Sequence, residues 1–393
     1  MKKLILLSIL CSFLFSNELD IVKKNKKELR EIEKKVIQKK YESLKDDWIG
    51  NIELNSNLSK SHNFTDDASS DMNRSVGLSY SQMIFQSGGI EYSIQYAKEQ
   101  LYSDLISWEN ENNLILETIY ETLLNIKKLK FQIEQSDYAL KNKRIELVLK
   151  KIQYEAGKVD IIELNNAIIS KNNQQKENIS LSNSLKEKEF ELSKYTNLKY
   201  NQIKLIDFKI SDKKKFLENS LNIRYENSKV QLLDTSYKQL KSSYLPQVKL
   251  SSSVNYQDNE NEDNRTNGTI GLSLSMPIFD VTKDSKLEKS KLEVLKQKVN
   301  LEDLKNQLSF EYEQILTQID TFENYERTIK ENLNLYDDLI FVNRSSNNAG
   351  MTSDYDLDIL QNSKKINEYD LLINDINKKL QYSKLYFKTK VNI

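Results

Sequence analysis

The stretch GLSYSQMIF, residues 77–85, returns as GLSLSMPIF at residues 271–279, with six of nine residues identical. The chain holds only eight glycines and two prolines in 393 residues. A repeated glycine-containing phrase therefore marks a repeated piece of structure. In 75–84, Val76, Leu78, Tyr80 and Ile84 alternate with Ser75, Gly77, Ser79 and Ser81. In 269–278, Ile270, Leu272, Leu274, Met276 and Ile278 alternate with Thr269, Gly271, Ser273, Ser275 and Pro277. Period two predicts strands with one apolar and one polar face. Each has an upstream partner of the same pattern, Ile52, Leu54 and Leu58 in one case and Val248, Leu250, Val254 and Tyr256 in the other. The connections, 61–73 and 257–267, are strongly polar and read as loops.

Outside these windows the chain is nearly free of breakers. Gly157 and Gly350 stand alone, and 90–156, 158–245 and 280–349 contain no other glycine and no proline. Such runs, rich in Leu, Ile, Glu, Lys and Gln, predict very long helices. Leu101, Leu105, Trp108, Asn112, Ile115, Ile119, Thr122, Ile126, Leu129 and Ile133 follow a 4,3,4,3 spacing. Leu308, Tyr312, Ile315, Ile319, Phe322, Glu326, Ile329, Leu333, Tyr336 and Ile340 repeat it. These are heptad seams, which pack helices side by side. Helices are expected over about 88–153 and about 281–346, each ~65 residues and ~100 Å long. One of ~35 residues should follow Gly157, and one of ~27 residues should lead to Pro246. Between these two lies the irregular stretch NLKYNQIKLIDFKISDKK, 197–214. Terminal helices are expected over about 18–46 and about 354–388. The chain thus divides into a first repeat (17–200), a linker (201–218) and a second repeat (219–393), with four limbs of equal height suited to a cylinder wall.

The opening MKKLILLSILCSFLFS, residues 1–16, has two lysines before a short apolar run and a small residue at its end. It reads as a secretory signal peptide. Cys11 is the only cysteine and lies inside it, so the mature chain would have no disulfide framework and no thiolate metal site. With 58 basic and 58 acidic residues, the charge gives no pull toward nucleic acid. His62 is the sole histidine and sits in a polar loop. No phosphate-binding glycine loop and no nucleophile–histidine set is present, so no catalytic residue, cofactor or metal is assigned.

Four amphipathic strands cannot close on themselves, and an open edge is not tolerated in lipid. Three copies would give twelve strands and a closed barrel. A small soluble sheet capping a coiled coil, in a secreted stalk or spacer, is the alternative.

The words YLPQVKLSSSV (244–254), GLSLSMPIF with its twin GLSYSQMIF, YEAGKVDIIELNNA (154–167) and NNAGMTSDYDLDILQNS (347–363) resemble the outer membrane efflux proteins of the TolC type, in family order along the whole mature chain. The resemblance implies a homotrimer: a shared twelve-stranded β-barrel in the outer membrane, continuous with a periplasmic α-barrel. It implies a passive exit duct for efflux or type I secretion, working with a periplasmic adaptor and an inner-membrane transporter.

The resemblance also places Gly157 and Gly350 at the periplasmic tip. Asp160 and Glu163 stand three and six residues past the first glycine, Ser353 and Asp356 past the second. The first pair is a capping-box pattern and the second a close variant. By position, Asp356 matches an inward acidic residue of the family's closed aperture, and Ile359 stands where a second acid is found. The expected aperture is one acidic ring and one apolar ring, since Asp358 should point elsewhere on the helix. Thr352 replaces a basic residue that often latches the tip. Asn343, Asn347 and Asn348 interrupt the seam; such polar residues either loosen it there or fix its register.

Overall fold

The computed structural model describes residues 18–62, 64, 70–259 and 262–389. The signal-peptide reading of residues 1–16 lies outside them, as does the centre of each polar connection. The element order recurs: α1 (Lys24–Asp46), β1 (Ile52–His62), β2 (Ser70–Phe85), α2 (Gly89–Glu155) and α3 (Ile161–Tyr195); then, after the short α4 (Lys213–Asn219), α5 (Leu221–Ser242), β3 (Gln247–Asn259), β4 (Glu262–Ser275), α6 (Lys283–Asn348) and α7 (Asp354–Tyr386). A 3-10 turn at Glu18–Ile21 precedes α1. Two compact units emerge, and both repeats contribute to each.

The first unit comprises 1–30, 109–221 and 305–393. Its α6 segment obeys the predicted seam. Leu308, Tyr312, Ile315 and Ile319 are buried, Phe322, Glu326, Ile329, Leu333, Tyr336 and Ile340 half-buried, and most of the residues between them exposed. The α2 segment departs from a single seam. Leu116 and Leu123 are buried as fully as Ile119 and Ile126, because α2 meets neighbours on more than one side. It bonds α3 through Gln174 Nε2 to Ser136 Oγ (3.1 Å) and α7 through Gln135 Nε2 to Asp370 Oδ1 (2.6 Å).

The irregular stretch between the repeats is more than a linker. Ile203, Phe208 and Phe216 are buried. Phe208 packs against Tyr120, Tyr386 and Phe387 with ring centroids 5.7–6.0 Å apart. The helix expected before Pro246 also differs. It breaks at buried Ser220, which leaves helical geometry to bridge Thr389, while Leu221 N–H donates to Lys388 O (3.0 Å). No glycine or proline marks this break; the pairing partner lies at the far end of the chain.

The second unit comprises 31–108 and 222–304 and holds the sheet. The strands run antiparallel in the order β1-β2-β3-β4. β2 and β3, from different repeats, form the central pair, with a register shift between Met83 and Phe85. The strands extend beyond their apolar cores, so the connections are shorter than the predicted loops: pairing persists to His62↔Ser70 and Asn259↔Glu262. Cross-strand hydrogen bonding carries polar sequence as readily as apolar, which hydropathy alone could not register. At the other end β4 stops at Ser275 rather than continuing to 278, since Pro277 has no N–H for a ladder.

Candidate functional site

Two features of the fold could serve a function: the two-faced sheet and the hairpin tips. Facing residues in the registers share a side of the sheet. One side carries Ile52, Leu54 and Leu58 of β1, Leu78 and Val76 of β2, Val248, Leu250 and Val254 of β3, and Leu274, Leu272 and Ile270 of β4. Many of these are unusually bare for apolar groups, with Ile52 at 74% and Ile270 at 80% exposure. The other side carries Asn55, Asn57, Ser75, Ser79, Ser253, Asn255, Thr269 and Gly271. These bond among themselves, as in Asn55 Nδ2 to Ser79 Oγ (3.1 Å) and the Ser253–Thr269 hydroxyl pair (2.8 Å). Gly77 belongs to this side because a Cβ there would lie 1.8 Å from Asn255 Oδ1. β1 and β4 form the two outer strands.

A polar clamp fixes the entry to β1. Gln82 is 8% exposed. Its Nε2 donates to Trp48 O (3.0 Å) and Met83 O (2.7 Å), and its Oε1 accepts from Gly50 N (2.8 Å) and Tyr80 Oη (3.1 Å). Gly50 must be glycine, since a Cβ would sit 1.8 Å from Ser81 O. The second repeat has Met276 where the first has Gln82, so sequence comparison of the repeats could have flagged the clamp as an asymmetry. The turns from strand to helix also differ. Residues 85–89 read FQSGG, with Gly88 at φ 88°. Residues 279–283 read FDVTK, where Asp280 Oδ1 accepts from Thr282 N (2.8 Å) and Oγ1 (2.7 Å). These bonds hold the Asp280 carboxyl down at about 2.

At the tips, Gly157 and Gly350 adopt left-handed φ of 69° and 73°, as helix-ending glycines do. Asp160 caps α3 by accepting from Glu163 N (2.9 Å). The expected reciprocal bond is absent, for the Glu163 carboxylate pairs instead with Lys150 (2.6 Å). The full capping box is at the second tip: Ser353 Oγ accepts from Asp356 N (3.3 Å), and Asp356 Oδ2 accepts from Ser353 N (3.1 Å) and Oγ (2.7 Å). So the pair read as a variant is the complete motif. Asp356 remains exposed, and Ile359, one turn on, is half-buried. Asp358 is exposed and off their shared face.

Two amides hold this tip, and only one of them stands out in the sequence. Asn142 of α2, 8% exposed, donates to Ser363 Oγ (3.2 Å) and accepts from Asn362 Nδ2 (2.9 Å). Asn347, one of the polar interruptions of the seam, ties the turn: its Nδ2 donates to Thr352 O and Asp354 Oδ1, both at 3.1 Å. Among the described residues no cluster of His, Cys, Asp or Glu could hold a metal ion.

Residues 214–365 match the model of the outer membrane efflux protein family. No curated protein sequence matches the chain. Solved structures of outer membrane channels share its fold across nearly its whole length. CusC aligns with a TM-score of 0.75 at 13% identity, covering 94% of this chain and 90% of its own. The Campylobacter jejuni CmeC outer membrane channel gives 0.74 at 14%, covering 94% and 84%. The Vibrio cholerae outer membrane protein VceC gives 0.73 at 12%, covering 91% and 90%. The mainly helical chain with four strands in one antiparallel sheet is therefore the outer membrane channel fold, and the efflux family match spans most of its second repeat.

Proposed function

We propose that this chain is one of three copies that together form an outer membrane exit duct of the efflux family. The observation that carries the reading is the sheet: one largely exposed apolar side, one hydroxyl- and amide-lined side, and two strands with an open edge. In lipid such edges must be paired. Joining β1 of one copy to β4 of the next closes twelve strands, with the apolar side to the membrane and the polar side to the lumen. A secreted stalk would give the bare apolar side no partner.

The long helices then extend on the periplasmic side, their tips facing a periplasmic adaptor and an inner-membrane transporter that supplies the substrate and the energy. The duct is a passive conduit, not a catalyst. Asp356 and Ile359 line its periplasmic aperture, one ring of carboxylates and one of apolar side chains. A ring of carboxylates favours cations. The capping box gives Asp356 a structural task as well, so its charge is held in place by the helix it starts.

The mass of the detergent-extracted protein in outer membrane fractions tests the assembly. Light scattering should report close to three chains. A monodisperse single chain that retains its helix content would overturn the proposal.

A further inference from the structure

We propose that the hairpin end of the apolar side carries a binding site for the phosphate group of a membrane lipid, built on Arg74 and Lys60. This inference rests on the membrane-inserted reading above. The registers place Leu58 opposite Arg74, Arg74 opposite Asp258, and Val76 opposite Tyr256, all on one side of the sheet. Lys60 is two residues past Leu58 and so faces the same way. Leu58, Arg74, Val76, Tyr256 and Asp258 line a groove of about 330 Å³, and Lys60 stands beyond its lining on the same strand as Leu58. Its floor of Leu58, Val76 and Tyr256 is exposed apolar surface that suits an acyl chain.

The charges sit where the apolar band ends. Below Arg74 the side is mainly apolar, interrupted by Ser56, Gln82, Ser252 and Thr266; at and beyond it come Arg74, Lys60 and Asp258. Arg74 meets Asp258 through a single contact of 3.4 Å, with the arginine 61% exposed. Its other bond is a weak one to Met72 Sδ at 3.5 Å. Among the described residues, most of its guanidinium donors therefore have no partner and can take a second anion. Lys60 has no ion pair among the described residues. A cation inside a lipid-facing rim is costly unless it finds an anion or reaches water. A phosphate at headgroup depth, its acyl chain descending along Val76 and Tyr256, satisfies both the charge and the apolar floor. The helices leave from the opposite end of the sheet, so the lipid belongs to the outward-facing leaflet.

Native mass spectrometry of the full-length trimer with added diphosphoryl lipid A tests this, with the same lipid stripped of phosphate as the comparison. The wild-type protein should hold the phosphorylated lipid more tightly. The double variant Arg74→Gln, Lys60→Gln should weaken that binding on the order of tenfold. Asp258→Asn, which removes the competing carboxylate and needs no loss of a cation, should tighten it. Unchanged binding in these variants, or equal binding of the dephosphorylated lipid, overturns the site. If the variants conduct in planar bilayers yet bind lipid as the wild type does, this inference alone fails. If the wild-type protein does not insert into bilayers, the duct reading fails with it.

Discussion

Glycine is scarce in this chain, and its positions separate into those that need space and those that need a backbone angle. Gly50 needs space, with Ser81 O where a Cβ would be. Gly157 and Gly350 need the angle alone, since no atom lies within 4 Å of an added Cβ. Gly157→Ala should cost only about 1–2 kcal/mol of left-handed strain, whereas Gly50→Ala forces the Trp48–Gly50 turn off Gln82 and should prevent trimer recovery from membranes. Thermal melts and trimer yield would distinguish the two; equal damage at both positions would refute this account of the turn. Asp356 calls for a paired experiment, because it carries both a cap and a charge. Ser353→Ala should cost about 1 kcal/mol of helix stability and leave ion selectivity alone. Asp356→Asn should reduce cation selectivity in single-channel recordings. Loss of selectivity in both variants would assign the effect to tip geometry instead of charge.

At the scale of elements, α6 and α7 are held by ion pairs: Glu326–Lys378 and Asp337–Lys364, each at 2.5 Å. Glu326 also accepts from Lys330 (2.7 Å), and these two lysines hold its carboxyl down at about 2, from an ordinary 4.5. A carboxyl lowered on folding stabilises above its unfolded value and loses that contribution as pH falls from about 4.5 to about 2. Glu326→Gln should therefore lower the melting temperature near neutral pH and make no difference near pH 2. Glu117 has the opposite sign. Burial, with Glu121 beside it, pushes its carboxyl up, so its ionised form opposes folding above that raised value. Glu117→Gln should raise the melting temperature at neutral pH, and the gain should vanish in acid. A neutral-pH loss for Glu117→Gln would mean that the carboxylate has a partner in the assembled trimer.

The elements were largely legible because they obey local rules. Heptad spacing fixed α2 and α6 to within a few residues, and alternation fixed the strand centres. What escaped depends on distant partners. Ser220 breaks a helix to meet Thr389, and Phe208 is core because Tyr120 and Phe387 surround it. Asn142 and Gln82 look like ordinary polar residues until their hydrogen bonds are drawn. The tip caps were legible as spacing, but which was complete depended on Lys150, a residue in the preceding helix.

For the whole molecule, no helix among the described residues is long and apolar enough to cross a membrane, so the proposed duct crosses one through strands shared between copies. The aperture, the lumen and the lipid rim all depend on that insertion. Planar-bilayer conductance of the purified, detergent-extracted protein tests it most directly. The account predicts small, steady, cation-selective currents from the wild type, with selectivity reduced in Asp356→Asn. Folded, helical protein that never inserts would contradict it, and would return the sheet to the role of a soluble cap.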